Sequence, residues 1–421
     1  MNAKMGGQMM SRNSAIYFAV ITMLLLGLFF GCSGKRGEIK IGALLPLTGD
    51  IKDYGELVKN GMDFAVDEIN NGDGVDGDNL KIVYADSQGT PEAATKVVFD
   101  LINKEKVPVI IGGVSSSVSL AVAPICENNK VVLLSPASSS PKLTGIGEYF
   151  FRIYPSDTLE GFTMANRIIN YQYKNGKQYF DKVVVVASKT DYAEGVKIEF
   201  VKEYRRRKGE TLDVINYDPA NPEFSDVINR IKASIRGKGG VAIYIAGYYA
   251  DTADFLLALR AAPWFDPQAI KVFASAGAYT PDFRTKAAPF FVPKGLNKYS
   301  LVFPLICNIR PDSPEPLISN FAKKFYAKYK TYPDSFAAHG YDAVKLIAEV
   351  IARRGTMPRD IQYGISMTKD WPGASGMITF DENHDVTKYP IVYAYDGKDL
   401  FLFDPDYINN RPGYYNVEIW K

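Results

Sequence analysis

A chain of 421 residues with 47% apolar content is long enough for two hydrophobic cores and too apolar to be disordered. Its 49 Lys and Arg stand against 47 Asp and Glu, with one short basic run, so it lacks the concentrated basic face that nucleic-acid binding needs. Its two histidines, His339 and His384, lie far apart with no Cys or acid at ligand spacing, and GxSxG, P-loop and complete GxGxxG motifs are absent, so neither a metal, a cofactor nor an enzyme activity is expected.

Residues 1–31 carry Lys4 and Arg12, then an apolar stretch at 15–30, and end in Leu28-Phe29-Phe30-Gly31-Cys32. A basic start, a short apolar core and a small residue before the cut describe a signal peptide. Cleavage before Cys32, with diacylglycerol on its sulfur, would leave a lipoprotein tethered to a membrane through residues 32–38. Phe29 departs from the leucine that a lipobox prefers. Loss of residues 1–31 leaves 47 basic and 47 acidic side chains, a formally neutral mature chain.

The first strand is expected at 39–45, turning through Pro46-Leu47-Thr48-Gly49-Asp50 into a helix with apolar Leu57, Met62, Ala65, Val66 and Ile69. Asn70-Asn71-Gly72-Asp73-Gly74 stops that helix. A strand at 80–85 and a helix at 91–103 follow. The strand at 107–111 breaks at Gly112-Gly113, with Ser115, Ser116 and Ser117 heading the next helix; the strand at 131–134 ends in Ser135, Ser138, Ser139 and Ser140. A strand at 149–153 leads to Tyr154-Pro155-Ser156-Asp157, the first passage to a second lobe. There the alternation restarts, with strands at 182–187, 212–217, 241–246 and 270–274 and helices at 193–208, 224–235 and 251–261. Arg205-Arg206-Arg207-Lys208 reads as the end of a surface helix. A strand at 301–306 carries the chain back, helices at 316–330 and 335–353 complete the first lobe, and a third crossing at 388–390 delivers a strand at 391–395 to the second. The expected fold class is α/β, two similar lobes each with a parallel sheet covered on both faces. Lobe 1 takes 39–154 and 303–388, lobe 2 takes 155–302 and 389–403, and 404–421 is a tail without a period.

In an open parallel sheet the strand carboxyl ends gather at one edge, so the two serine clusters should flank one crevice. Backbone N–H groups, a helix dipole and hydroxyl donors together suit a carboxylate or phosphate. One serine at a helix start is ordinarily only a cap; two clusters after successive strands point to a site. Cys126 and Cys307 read as separate buried thiols, and His339 as a packed or pocket-lining side chain.

The runs IIGGVSSS and VVLLSPASSSPKLT resemble the leucine/isoleucine/valine-binding proteins, extracytoplasmic solute receptors of ABC importers. IKIGALLPLTG, Asp191-Tyr192-Ala193-Glu194-Gly195 and Ala246-Gly247-Tyr248-Tyr249 recur in the same order, so the resemblance covers about 39–397. It implies two Rossmann-like lobes joined by a three-strand hinge, closing on a small amino acid or related carboxylate, with an ABC permease and its ATPase as partners. A ligand sensor acting with a separate signalling partner is the alternative. The resemblance assigns the ligand carboxylate to the hydroxyls of Ser116 and Ser139 and to backbone groups at Ala137 and Ser139, with Ser115 and Ser138 beside them. Tyr192 and Tyr248 would close from the second lobe, and Tyr54 and Phe336 would line the wall. Two departures stand out. A cysteine found in disulfide-bearing relatives is replaced by Ser115, and Ala276 stands where amino-acid binders carry a glutamate against the ligand ammonium. That group would be left with the Ala137 carbonyl and the Ser139 hydroxyl, unless Asp251 turns inward, so ligands without an α-amine should be tolerated.

Overall fold

Near-continuous apolar runs, buried on both faces, make two parallel-type sheets in the computed structural model, which describes residues 36–171, 180–267, 269–291, 301–307, 309–403 and 416–417. The expected signal segment 1–31, Cys32 and most of the tail 404–421 lie outside the described residues. The first sheet contains β1 (Glu38–Leu45), β2 (Asn79–Asp86), β3 (Val109–Gly112), β4 (Val132–Ser135) and β5 (Phe150–Arg152), ordered β2-β1-β3-β4-β5 with every pair parallel. Every residue of β3 and β4 is buried, as expected where helices cover both faces. Those helices include α1 (Lys52–Asn71), α2 (Pro91–Phe99) and α3 (Ser116–Asn129).

The chain then enters α4 (Asp157–Ile169), which packs on α5 (Asp191–Arg206) beside the second sheet. That sheet is built from β6 (Lys182–Ser188), β7 (Glu210–Tyr217), β8 (Val241–Ala246), β9 (Ile270–Ala274) and β10 (Leu301–Leu305) in the parallel order β7-β6-β8-β9-β10. Its helices are α6 (Phe224–Ile235), α7 (Tyr249–Ala261) and the short α8 (Pro281–Lys286). The basic run closes α5 as expected: Arg206 and Arg207 both pair with Glu203, at 2.6 and 2.7 Å, and hold its carboxyl down to about 2.

After β10 the chain returns to the first lobe as α9 (Pro316–Tyr329), α10 (Ser335–Arg354), α11 (Pro358–Ser366) and a hairpin of β11 (Trp371–Gly373) and β12 (Gly376–Ile378). It then rejoins the second sheet as β13 (Ile391–Tyr395), antiparallel to β10. Beyond it lie β14 (Leu400–Leu402) and, within the tail, β15 (Asn416–Val417), both antiparallel. The α/β fold of two lobes is therefore present, with antiparallel strands added at one edge.

A buried polar network ties the last crossing to lobe 1. Arg152, fully buried, donates from Nε to Asp385 Oδ1 and from Nη2 to Asp385 Oδ2, both at 2.6 Å. Asp342 accepts from the backbone N–H groups of Ala374 and Ser375, both at 2.7 Å, and Lys388 Nζ donates to Ser375 Oγ at 2.7 Å. His339 is the packed residue expected. Its Nδ1 bonds the Ser335 carbonyl at 2.6 Å, which leaves Nε2 to accept from Lys388 Nζ at 3.2 Å. Burial first, then the Lys388 charge, holds its pKa well below the usual value.

Three expectations need adjustment. The helix at 91–103 is α-helical only to Phe99; residues Asp100–Lys104 widen into a π-turn. Cys126 and Cys307 are both free thiols, but Cys307 is only half-buried because it lines a cavity between the lobes. The strand at 301–306 ends at Leu305.

Candidate ligand-binding cleft

The two serine clusters meet because β3 and β4 are parallel neighbours in the first sheet. After β3 the chain turns at Gly113 with φ +67°, where a Cβ would lie 2.2 Å from Ser119 Oγ. The Gly113 carbonyl accepts from the hydroxyls of Ser119 at 2.8 Å, Ser135 at 2.9 Å and Ser138. This one oxygen fixes the second loop against the first.

Within that frame each serine has a distinct task. Ser115 caps α3, its side chain accepting from Val118 N at 3.4 Å. Ser116 Oγ accepts from the backbone N–H groups of Ser139 at 3.3 Å and Ser140 at 3.1 Å. With both bonds arriving at its lone pairs, the Ser116 hydroxyl proton is left to donate elsewhere.

Ser115, Ser116, Ala137 and Ser139 form one wall of a cavity of about 30 Å³; Tyr54 and Phe336, also from the first lobe, form a second wall. Tyr192, Tyr248 and Gly277 cover it from the other lobe. Tyr192 and Tyr248 stack at 5.2 Å, and Tyr54 packs on Phe336 at 4.9 Å and on Tyr248 at 5.6 Å. Tyr54 also joins the lobes by hydrogen bonds, accepting from Tyr249 N at 3.1 Å and donating to the Gly277 carbonyl. The Tyr192 hydroxyl accepts from Gly277 N at 2.8 Å. Burial pushes the pKa of Tyr54, Tyr192 and Tyr248 upward, so these phenols stay protonated and polar without charge. A Lys142–Asp191 ion pair at 2.8 Å also links the two lobes.

Two residues expected at the site stand elsewhere. The Ser138 hydroxyl is turned to the Gly113 carbonyl and lies 2.7 Å from Ser119 Oγ, so it braces the loops instead of lining the cavity. Ala276 lines an adjoining cavity of about 50 Å³, which shares Tyr154 and Phe336 with the first. Asp251 does not turn inward: its Oδ2 accepts from the Tyr217 hydroxyl at 2.5 Å, and burial raises its carboxyl to about 6.

Sequence reasoning missed Ile51, Val114, Tyr154 and Gly277, which line the cavity, and two acids of the first turn of α4 that bond to backbone groups beside it. Glu160, 2% exposed, accepts from Ala276 N at 2.9 Å. Asp157, with 0% exposure, donates its own N–H to the Ser139 carbonyl at 2.8 Å. Acids in a first helical turn read as ordinary partners of the helix dipole, and nothing in the sequence places them beside residues 139 and 276. Among the described residues no group of three or more His, Cys, Asp or Glu is placed to hold a metal ion.

The Periplasmic binding protein family model matches residues 38–398. Over 374 residues the chain is 25% identical to Leu/Ile/Val-binding protein homolog 3 of Brucella melitensis, covering 87% of this chain and 94% of that one. It is likewise 25% identical over 401 residues to the leucine-, isoleucine-, valine-, threonine- and alanine-binding protein of Pseudomonas aeruginosa, covering 92% and 95%. Among solved structures, the leucine binding protein LivK of Thermotoga maritima superposes with a TM-score of 0.74 at 28% identity, covering 90% of this chain and 99% of that one. A match over nearly the whole of both lobes, with the serine-walled cleft between them, makes this chain a member of the periplasmic binding protein family, of the leucine/isoleucine/valine-binding kind.

Proposed function

We propose that the protein is the extracytoplasmic solute receptor of an ABC importer, anchored by a lipid on Cys32, and that it holds a small amino acid or related carboxylate between its lobes. The observation that carries this reading is Ser116, whose hydroxyl takes two backbone N–H groups of the second serine loop and keeps its proton for a ligand oxygen. A charge-assisted bond of that kind contributes about 1.5–3 kcal/mol. The ligand carboxylate docks on Ser116, Ser139 and Ala137 of lobe 1, and Tyr192 and Tyr248 then cover it from lobe 2.

Space decides how the ligand enters. A cavity of about 30 Å³ has room for little more than a water, whereas a benzene-sized guest needs about 150 Å³. Admission therefore requires the lobes to part, which breaks the Tyr54 bonds and the Lys142–Asp191 pair, and closure around the ligand re-forms such contacts between the lobes at a separation wide enough to hold it. The difference between the two states is the signal that a permease and its ATPase would read.

A thermal-shift screen of amino acids, amides and simple carboxylates tests the reading, because a ligand that binds the native state raises the melting temperature by mass action. At least one small carboxylate should do so; a screen without any such rise removes the proposal. Intact-mass analysis of membrane-extracted protein should show a mature chain that starts at acylated Cys32. An uncleaved Met1, or a soluble chain that starts elsewhere, would end the lipoprotein part.

A further inference from the structure

We propose that the buried carboxylate pair Asp157 and Glu160 is the counter-charge for a ligand ammonium group, replacing the acid that is missing at Ala276. The inference rests on the ligand reading above and names how that site selects its ligand. Two hydrogen bonds locate the pair. Glu160 Oε1 is 2.9 Å from the N–H of Ala276, and the Asp157 N–H is 2.8 Å from the carbonyl of Ser139, which lines the cavity. The acid absent from the side chain at position 276 is thus supplied from behind its backbone, one helical turn from Ser139's own partner.

Glu160 has the Ala276 N–H and the Tyr244 hydroxyl beside it, but Asp157 is held without compensation. Neither carboxylate oxygen of Asp157 has a hydrogen-bond partner among the described residues; the Ser139 hydroxyl is close enough to oppose the rise of its pKa without meeting bond geometry. Arg152, the cation whose field reaches Asp157, has its donors on Asp385, Thr144 and the Ser140 carbonyl. The other ionisable groups facing the pair are Glu199 and Tyr192 of α5, Tyr244 of β8, Tyr248 and Tyr154, none of them cationic. Burial raises Asp157 well above the usual carboxylate range, with the like charge of Glu160 adding to it, and burial raises Glu160 to about 7. Two acids in one desolvated site resist ionising together, so near neutral pH the pair retains a proton.

A helix-dipole role needs neither complete burial nor unpaired oxygens, since such acids act equally well at the surface. An incoming ammonium, by contrast, provides what the pair lacks. As it docks, the retained proton leaves to solvent and the carboxylates take the ammonium as partner, so no covalent bond is made or broken beyond that O–H. Ligand class follows: α-amino acids are preferred over the same acids without the amine, contrary to what Ala276 alone implies.

Calorimetry with leucine and 4-methylpentanoate, in two buffers of different ionisation enthalpy at pH 7, tests this on the wild type and on Asp157→Asn, Glu160→Gln and the double variant. Wild type should release up to about one proton with leucine and none with 4-methylpentanoate, and should prefer leucine by 30-fold or more. The double amide variant should lose most of that preference while keeping its affinity for 4-methylpentanoate within about threefold. Leucine binding without proton release, or a preference unchanged in the variants, overturns the inference and leaves the carboxylate site standing. Failure of the wild type to bind either probe, or any carboxylate of the thermal screen, takes both readings down. The proton release is read on the wild type, so the test survives a variant that does not fold.

Discussion

Ser116 and Tyr54 show how one side chain can serve both the fold and the ligand. Ser115, not Ser116, caps α3, so a simple choice between cap and ligand donor does not apply to Ser116. Replacing Ser116 by Ala should weaken carboxylate binding by about 10–100-fold, the worth of one charge-assisted bond. It also leaves the buried N–H groups of Ser139 and Ser140 without their acceptor, so unfolding free energy should drop by about 1–3 kcal/mol. Urea denaturation beside calorimetry reads both; lost affinity at unchanged stability would mean that the two N–H groups find another partner. Tyr54→Phe isolates the closing step, since it removes the acceptor of Tyr249 N and the donor to the Gly277 carbonyl while keeping the ring. Affinity should fall about 5–30-fold through loss of the closed form, about 1–2 kcal/mol, and an unchanged affinity would show that the lobes close without this bond. The serine wall was legible in the sequence because hydroxyls clustered after two neighbouring strands have one place to go. Glu160 and Asp157 were not legible, since their meaning depends on a contact with Ala276 and Ser139 across the chain crossing.

At the scale of elements, α1 and α10 pack at backbone distance, and glycine permits it. A Cβ on Gly61 would stand 1.9 Å from the Ala337 carbonyl oxygen, and one on Gly340 would stand 2.4 Å from that of Val58. Both obstacles are backbone atoms of a neighbouring helix, which cannot swing aside as a side chain can. Gly61→Ala should therefore destabilise by about 1–3 kcal/mol or more, although alanine is the better helix former. Chemical denaturation gives the sign; a stabilised variant would mean that the helices can separate freely. Because α10 also carries Phe336 of the cavity wall, the same change should loosen ligand binding. The long elements were readable from period and stops: residues 224–235, 241–246, 270–274 and 391–395 match the observed elements in both bounds. Short pieces such as β11 and β12 escaped because three residues do not complete a diagnostic period. The π-turn after α2 escaped because the apolar spacing runs on through it.

For the whole molecule, the buried acids set the response to pH. Burial holds Glu160 at about 7 and Asp334 and Asp251 at about 6. The neighbouring Asp53 side chain, then partial burial, holds the exposed Asp282 at about 6 as well, and Asp157 and Asp342 are shifted in the same direction. Unfolded carboxyls titrate near 4, so between about pH 4.5 and 7 the native state binds more protons than the unfolded one. Stability contributed by a raised acid is fully present below its unfolded pKa and is lost as pH rises through its folded value, so these groups make the protein more stable on mild acidification. His339 works against them. Its folded pKa is depressed, so its contribution is present above about 6.5 and is lost as the pH falls. One histidine opposes several acids, and the acids prevail. Below about pH 4 the sign reverses, because Glu203, held at about 2 by Arg206 and Arg207, and the lowered Glu68, Asp86 and Asp213 stay ionised in the native state while the unfolded chain takes up protons. Scanning calorimetry from pH 3.5 to 8 at fixed ionic strength should place the highest melting temperature between about pH 4 and 4.5, not at neutrality. A melting temperature that falls steadily from pH 7 to pH 5 would mean that the cleft acids are already ionised in the native protein. Saturation with leucine supplies a counter-charge to Asp157 and Glu160 and should flatten the rise below pH 7, whereas saturation with 4-methylpentanoate should leave it in place.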